Sequence, residues 1–196
     1  MAKRVLIIAT DGFEQSELIE PKKALEKAGF ETVVASPKEG SIKGWNHGDW
    51  GQSVKVDADI EEVTAAEFDA LLLPGGQMNP DVLRMDDRVI ALIEDFDDAG
   101  KIIAAICHAP WLLAEADIID GRTVTSWPSI RTDLENAGAD VVDEPVAIDD
   151  NIITSRKPED IPAFSQALID ALEALDEEDA EEEEVEDDVE EEEEEL

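Results

Sequence analysis

The chain has 196 residues and a mass of 21.4 kDa, enough for one domain with a sizeable core and no need of disulfides or a structural metal. One cysteine excludes an intramolecular disulfide, and two histidines beside it argue against a structural zinc site. With 52 acids against 15 bases the net charge is −37, which repels phosphate backbones and argues against a nucleic-acid partner.

The charge is unevenly spread. Residues 176–196 hold 17 acids and no base, leaving 35 acids against 15 bases in residues 1–175, a net of −20. The sequence therefore divides into a folded part, 1–175, and an acidic disordered tail, 176–196. At ~0.1 M salt the Debye length is about 10 Å and a body at −20 repels itself. At ~1 M it is about 3 Å and the repulsion is mostly screened. This balance suits the salty cytoplasm of a halophilic, archaeal source. There is no apolar run of about 18 residues for a membrane span. Met1-Ala2-Lys3-Arg4-Val5 leads directly into a strand pattern without the features of a secretion signal, so a cytoplasmic protein is expected.

Arg4 to Ala9 is a short β-branched run closed by Thr10-Asp11-Gly12, the pattern of a buried parallel strand. Glu17 to Ala28 carries Leu18, Ala24, Leu25 and Ala28 at helical spacing and stops at Gly29. Glu31 to Ser36 is a second strand, completing a β-α-β unit. Ser41 to Asp57, with three glycines and two tryptophans, predicts an inserted loop or hairpin. Asp69 to Leu73 is a strand closed by Pro74-Gly75-Gly76. Asp86 to Ala99 is a helix, and Lys101 to Ile106 is a strand running into Cys107-His108. Ala109 to Ala116 is helical, with Pro110 in the first turn. Beyond it come short strands at Arg122–Thr125, Val141–Val142, Val146–Ile148 and Asn151–Thr154, a helix at Ile130–Ala137, and a closing helix at Pro158–Leu175.

In an open parallel sheet, ligands bind outside the carboxyl ends of the strands. Three strands here end in Thr10-Asp11-Gly12-Phe13-Glu14, Pro74-Gly75-Gly76-Gln77 and Cys107-His108-Ala109. Topology alone brings the cysteine, a histidine, a glutamate and a Gly-Gly turn to one edge. A buried strand running into a helix with a cysteine at the junction is the arrangement of a nucleophile elbow. The helix N-terminus is expected to lower the thiol pKa from its ordinary ~8.5. No histidine follows His108, so a dyad must use His108 itself or the upstream His47. Adjacent residues at a strand end normally point apart, so a Cys107–His108 contact requires special backbone geometry.

The segments Asp11-Gly12-Phe13-Glu14-Gln15-Ser16-Glu17-Leu18, Leu73-Pro74-Gly75-Gly76 and Ile106-Cys107-His108-Ala109-Pro110 resemble the PfpI/ThiJ, or DJ-1, superfamily, most closely its short single-domain PfpI-type subgroup. Thr125-Ser126-Trp127-Pro128, Asn136-Ala137-Gly138-Ala139 and Thr154-Ser155-Arg156 fit as well. The resemblance runs from about residue 3 to 173. It implies an α/β, flavodoxin-like three-layer sandwich with a mostly parallel central sheet, as in class I glutamine amidotransferases. It implies a homo-oligomer, a dimer or a trimer of dimers, and no cofactor or metal.

The resemblance also implies roles. Cys107 matches the nucleophile and Glu14 the carboxylate that contacts its sulfur. The backbone N–H groups of Gly76 and His108 would form an oxyanion hole. The His108 imidazole would join a triad with an acid of a neighbouring subunit, and the matching position is Asp81, one methylene shorter than glutamate. Trp45, His47 and Trp127 are candidates for the pocket wall. The implied activity is cysteine-dependent turnover of small reactive carbonyls, as a glutathione-independent glyoxalase or deglycase. An intracellular cysteine peptidase and an oxidative-stress sensor or chaperone-like protein are the alternatives, and the partner is a small carbonyl compound or a peptide.

Overall fold

The computed structural model describes residues 2–175, and the expected acidic tail lies outside them. The first strand, β1 (Arg4–Ile8), enters the core directly and is followed by α1 (Gln15–Ala28) and β2 (Glu31–Ser36). Helix α1 ends at Gly29, whose φ of 98° is the left-handed conformation a helix stop requires. The inserted segment is a hairpin, β3 (Ser41–Asn46) with β4 (Asp49–Lys55), turned at His47 and Gly48. A two-residue strand, β5 (Ala58–Asp59), then pairs with β2.

Strand β6 (Ala70–Leu73) leads into α2 (Met78–Leu83), a six-residue helix with Pro80 near its start that the sequence pattern does not predict. Helix α3 (Asp87–Asp98) is capped by the Asp86 carboxylate, which accepts from the N–H groups of Arg88 and Val89. Strand β7 (Ile102–Ile106) and α4 (Pro110–Glu115) follow. The remaining elements are β8 (Thr123–Val124), α5 (Arg131–Asn136), β9 (Asp140–Val141), β10 (Val146–Asp149), β11 (Ile152–Ser155) and a closing helix, α6, over residues 161–175.

The main sheet has the order β10-β11-β7-β6-β1-β2-β5. All its pairings are parallel except that of β10 with β11. This is the α/β sandwich with a mostly parallel sheet expected from the sequence. Alternation along β1 explains the layers: Leu6 and Ile8 face one core with α3, α4 and α5, while Val5 and Ile7 face another with α1 and α6. Both faces are covered, so the central strands are apolar throughout. The order β7-β6-β1 also makes the carboxyl ends of these three strands neighbours, and their loops lie side by side.

Among the described residues, no helix is long and apolar enough to cross a membrane.

Candidate active site

The loop after β1 is tied to the loop after β6. Asn79 is fully buried and accepts from the Thr10 N–H at 2.7 Å while donating to the Pro74 carbonyl at 2.9 Å. The Glu14 N–H donates to the Gly75 carbonyl at 3.2 Å. Gly75 and Gly76 are needed for this approach. A Cβ on Gly75 would lie 2.5 Å from both a Glu17 carboxyl oxygen and the Ile106 carbonyl. Gly76 has φ of 90°, and its Cβ would lie 2.6 Å from the Glu14 nitrogen. The hairpin closes the same edge, with the Trp45 N–H donating to the Phe13 carbonyl and the Gly12 N–H to the Lys43 carbonyl.

Cys107 sits just beyond β7 with φ of 65°, the left-handed region that a side chain rarely adopts. The surrounding backbone holds it there. Its N–H donates to the Ser155 carbonyl at 3.0 Å, and its carbonyl accepts from the Trp127 N–H at 2.9 Å. A single strained residue of this kind costs of order 1–3 kcal/mol and re-aims the chain. The consequence is the contact that a regular strand end would forbid: Cys107 Sγ lies 3.2 Å from His108 Nδ1. The backbone N–H groups of Gly76 and His108 lie beside the sulfur and favour its thiolate form.

The carboxyl at the sulfur belongs to Glu17, and the expectation of Glu14 is corrected. Glu17 has no exposed surface. One of its oxygens accepts from the Gly75 N–H at 3.0 Å. Oε1 is buried without a hydrogen-bond partner among the described residues, and the carboxyl and the Cys107 thiol lie close enough to shift one another's pKa. Glu14 precedes the first turn of α1, accepts from the Ser16 hydroxyl at 3.2 Å, and lies on the half-buried rim of the cleft. The physical reason is helical phase. Glu17, Pro21 and Leu25 recur at four-residue spacing on the buried face of α1, and Glu14 stands just outside the helix. That spacing is visible in the sequence and could have singled out Glu17.

Burial raises the Glu17 pKa from 4.5 to about 8, opposed by the hydrogen bonds to Cys107 and Gly75 and reinforced by the charges of Glu14 and Glu159. The expected low thiol pKa is also corrected. Burial, then the charge of Glu17, push the Cys107 thiol up, and this outweighs the N–H groups of Gly76 and His108. The N-terminus of the six-residue α4 does not offset the desolvation of a thiol that is only 5% exposed. His108 is 8% exposed, and burial depresses its pKa, favouring a neutral imidazole.

A cleft of about 650 Å³ opens over Cys107, Glu17 and His108. Trp45, His47 and Trp127 line it, as do Glu14 and Gly76. Asp81 is exposed in the first turn of α2 and does not line the cleft. No group of three or more His, Cys, Asp or Glu side chains among the described residues could hold a metal.

The fold and site define a flavodoxin-like α/β protein with a buried cysteine on a nucleophile elbow, faced by a carboxyl. The chain belongs to the DJ-1/PfpI family, whose sequence profile matches residues 3–171. It is 46% identical to General stress protein 18 of Bacillus subtilis, over 88% of this chain and 99% of that protein. It is 43% identical to Protein/nucleic acid deglycase 2 of Escherichia coli, over 89% of this chain and 100% of that protein. The crystal structure of Drosophila melanogaster DJ-1beta superimposes with a TM-score of 0.81 at 30% identity, covering 88% of this chain and 91% of the other.

Proposed function

We propose that the protein is a cysteine-dependent enzyme acting on small reactive carbonyls, a glutathione-independent glyoxalase or deglycase. The observation that carries this reading is the meeting of Cys107 with a carboxyl, Glu17, that keeps its proton up to about pH 8. The deglycase name of the Escherichia coli relative supports the same class.

The steps follow from the positions. A Glu17 that carries its proton does not repel a sulfur anion and has an O–H to donate to it. His108 Nδ1, 3.2 Å from the sulfur, is placed to accept the thiol proton. The thiolate adds to the aldehyde carbon of a 2-oxoaldehyde, giving a hemithioacetal whose oxygen faces the N–H groups of Gly76 and His108. Glu17 gives its proton to the hemithioacetal oxygen and, now a carboxylate, takes the proton from the aldehyde carbon while His108, carrying the thiol proton, protonates the neighbouring carbonyl oxygen. Glu17 then delivers its proton to that neighbouring carbon as the hemithioacetal hydroxyl returns one to His108, which leaves a thioester of a 2-hydroxy acid. Water then cleaves the thioester and frees the thiol. One carbon is oxidised and its neighbour reduced, so methylglyoxal and water give lactate without an external oxidant or cofactor. Deglycation is the same addition to a carbonyl adduct, with the amine or thiol of the adduct as leaving group.

Peptide hydrolysis asks for more, because a poor amine leaving group must be protonated by a well-placed acid. His108 and Glu17 are the acids nearest the sulfur among the described residues, and Glu17 is already used at the sulfur, while Asp81 lies away from the cleft. The reading also takes the protein to work in a salty cytoplasm, on the strength of a net charge of −20 over residues 1–175, and as a homo-oligomer, which only the family resemblance implies. The test is lactate formation from methylglyoxal beside fluorogenic peptide cleavage, in molar salt, with wild type and Cys107→Ala. Lactate from the wild type and none from Cys107→Ala is the expected result. Efficient peptide cleavage without lactate would replace this reading with the peptidase. Loss of neither substrate, with Cys107 oxidised by peroxide, would replace it with the sensor.

A further inference from the structure

Trp127 follows β8 and stands beside the elbow without belonging to its strand or its helix. It makes two separate contacts with the reactive pair. Its backbone N–H donates to the Cys107 carbonyl at 2.9 Å, on the residue with the left-handed conformation. Its indole stacks on the His108 imidazole, with centroids 5.8 Å apart and planes at 21°. On another side the His108 ring meets Trp111 edge-on, at 5.4 Å and 64°. Trp111 is itself anchored, its Nε1 donating to Asp133 at 2.8 Å and its ring lying under the Arg84 guanidinium. The imidazole is thus held between two indoles, one fixed by the fold and the other, Trp127, 36% exposed at the cleft. A ring that could swing about its χ angles is confined to the setting in which Nδ1 faces the sulfur.

We propose that Trp127 is a positioning residue for the Cys107–His108 pair, holding the elbow through its amide and the imidazole through its indole so that Nδ1 stays directed at Sγ. The proposal rests on the reading of Cys107 as nucleophile. Its chemistry is that of an aromatic clamp. Stacking supplies a face that costs the ring its rotational freedom, and the indole excludes water that would otherwise favour an imidazolium. The titratable group in contact with His108 is Cys107, on its own loop; Glu14, Glu17, His47 and Glu159 line the same cleft, and Trp111 carries the Arg84 guanidinium against its ring.

The experiment uses the full chain in high salt and needs no substrate. The rate of Cys107 alkylation by iodoacetamide is measured across pH, and the His108 ring is titrated by NMR, for wild type, Trp127→Phe, Trp127→Leu and His108→Gln. The aromatic contact is worth about three- to tenfold. Trp127→Leu should slow alkylation below neutral pH by that factor and move the His108 midpoint toward its ordinary ~6.5. Trp127→Phe should recover most of both, and Trp127→Leu should add no further loss in the His108→Gln background. Leucine fills the site and keeps the amide, so a folded protein is expected, with melting temperature as the control. If Trp127→Leu unfolds the chain, Trp127→Phe with an unchanged His108 titration and Trp127→Tyr with the same are the supporting pair, and a shifted midpoint in both overturns the proposal. An unchanged alkylation profile and an unchanged His108 titration in folded Trp127→Leu overturn it. Equal losses in the phenylalanine and leucine variants do so too. Failure of the nucleophile reading is recognised separately, by lactate formation that survives Cys107→Ala.

Discussion

The interior of β1, β6 and β7 and the carboxyl ends of the same strands are built on opposite terms. Inside, Leu6, Ile7, Leu71, Leu72 and Ile103 are fully buried, and their backbone groups are paired in parallel ladders. A few residues further along, the same strands end in a buried carboxyl, a cysteine at positive φ and a glycine whose side of the turn has no room for a Cβ. The first region gains stability from every residue. The second gives some of it up, through desolvation of Glu17 and strain at Cys107, to place a thiol, a carboxyl and two N–H donors within reach of one another. The lesson is that the ends of the strands can carry such costs because their middles are covered on both faces.

The widest separation between the regions should appear in activity. Glu17→Gln keeps the shape but cannot shuttle a proton, and loss of a positioned acid–base group typically costs 10²- to 10⁴-fold. Lactate formation should fall by about that factor, while Glu14→Gln, on the rim, should change it by no more than a few-fold. Steady-state rates at one pH decide this, and the reverse ranking would return the role to Glu14.

In stability the ranking should invert. Leu71→Ala, in the strand interior, should cost about 2–5 kcal/mol of unfolding free energy. Cys107→Gly should cost little or even stabilise by ~1 kcal/mol, because glycine adopts φ of 65° without strain. Denaturant midpoints compare the two directly.

The pH dependence follows from Glu17. Below pH 4.5 the carboxyl is protonated in both the folded and the unfolded chain, so it contributes no difference. Between 4.5 and about 8 the unfolded chain ionises while the folded one does not, and stability falls. Above about 8 the loss levels off, at a few kcal/mol. Glu17→Gln should flatten this slope. A wild-type melting temperature that does not fall over the same interval would show that the carboxyl ionises in the fold.

The smallest expected effect concerns charge far from the site. Lowering salt from molar to about 0.1 M should reduce the melting temperature, because residues 1–175 carry −20. Removing residues 176–196 at matched salt should leave melting and turnover almost unchanged. Melting that ignores salt would remove the case for a halophilic source.

The sheet, its parallel sense and the convergence of three strand ends were legible in residues 1–110, since β-branched runs alternating with helical periodicity admit few topologies. Cys107 at a strand-to-helix junction was legible for the same reason. The short helix α2 was not, because six residues are too few for a periodic signal. The choice between Glu14 and Glu17 was made by burial. Both glutamates stand near the start of α1, but only the phase of the packed helix puts Glu17 under the Gly75 turn and against the sulfur. The direction of the thiol pKa was likewise a tertiary result. A helix N-terminus is visible in sequence, whereas the desolvation that outweighs it depends on how completely α1, the glycine turn and the hairpin close over Cys107. Sequence by itself determined that the strands run largely parallel, that three of their ends share one edge and which residue types those ends carry, because periodicity and chain connectivity are local; the order of the strands came from the tertiary structure. Which carboxyl touches the sulfur, and that Trp127 stacks on His108, were decided only by the tertiary structure, because orientation and burial depend on residues distant in the chain.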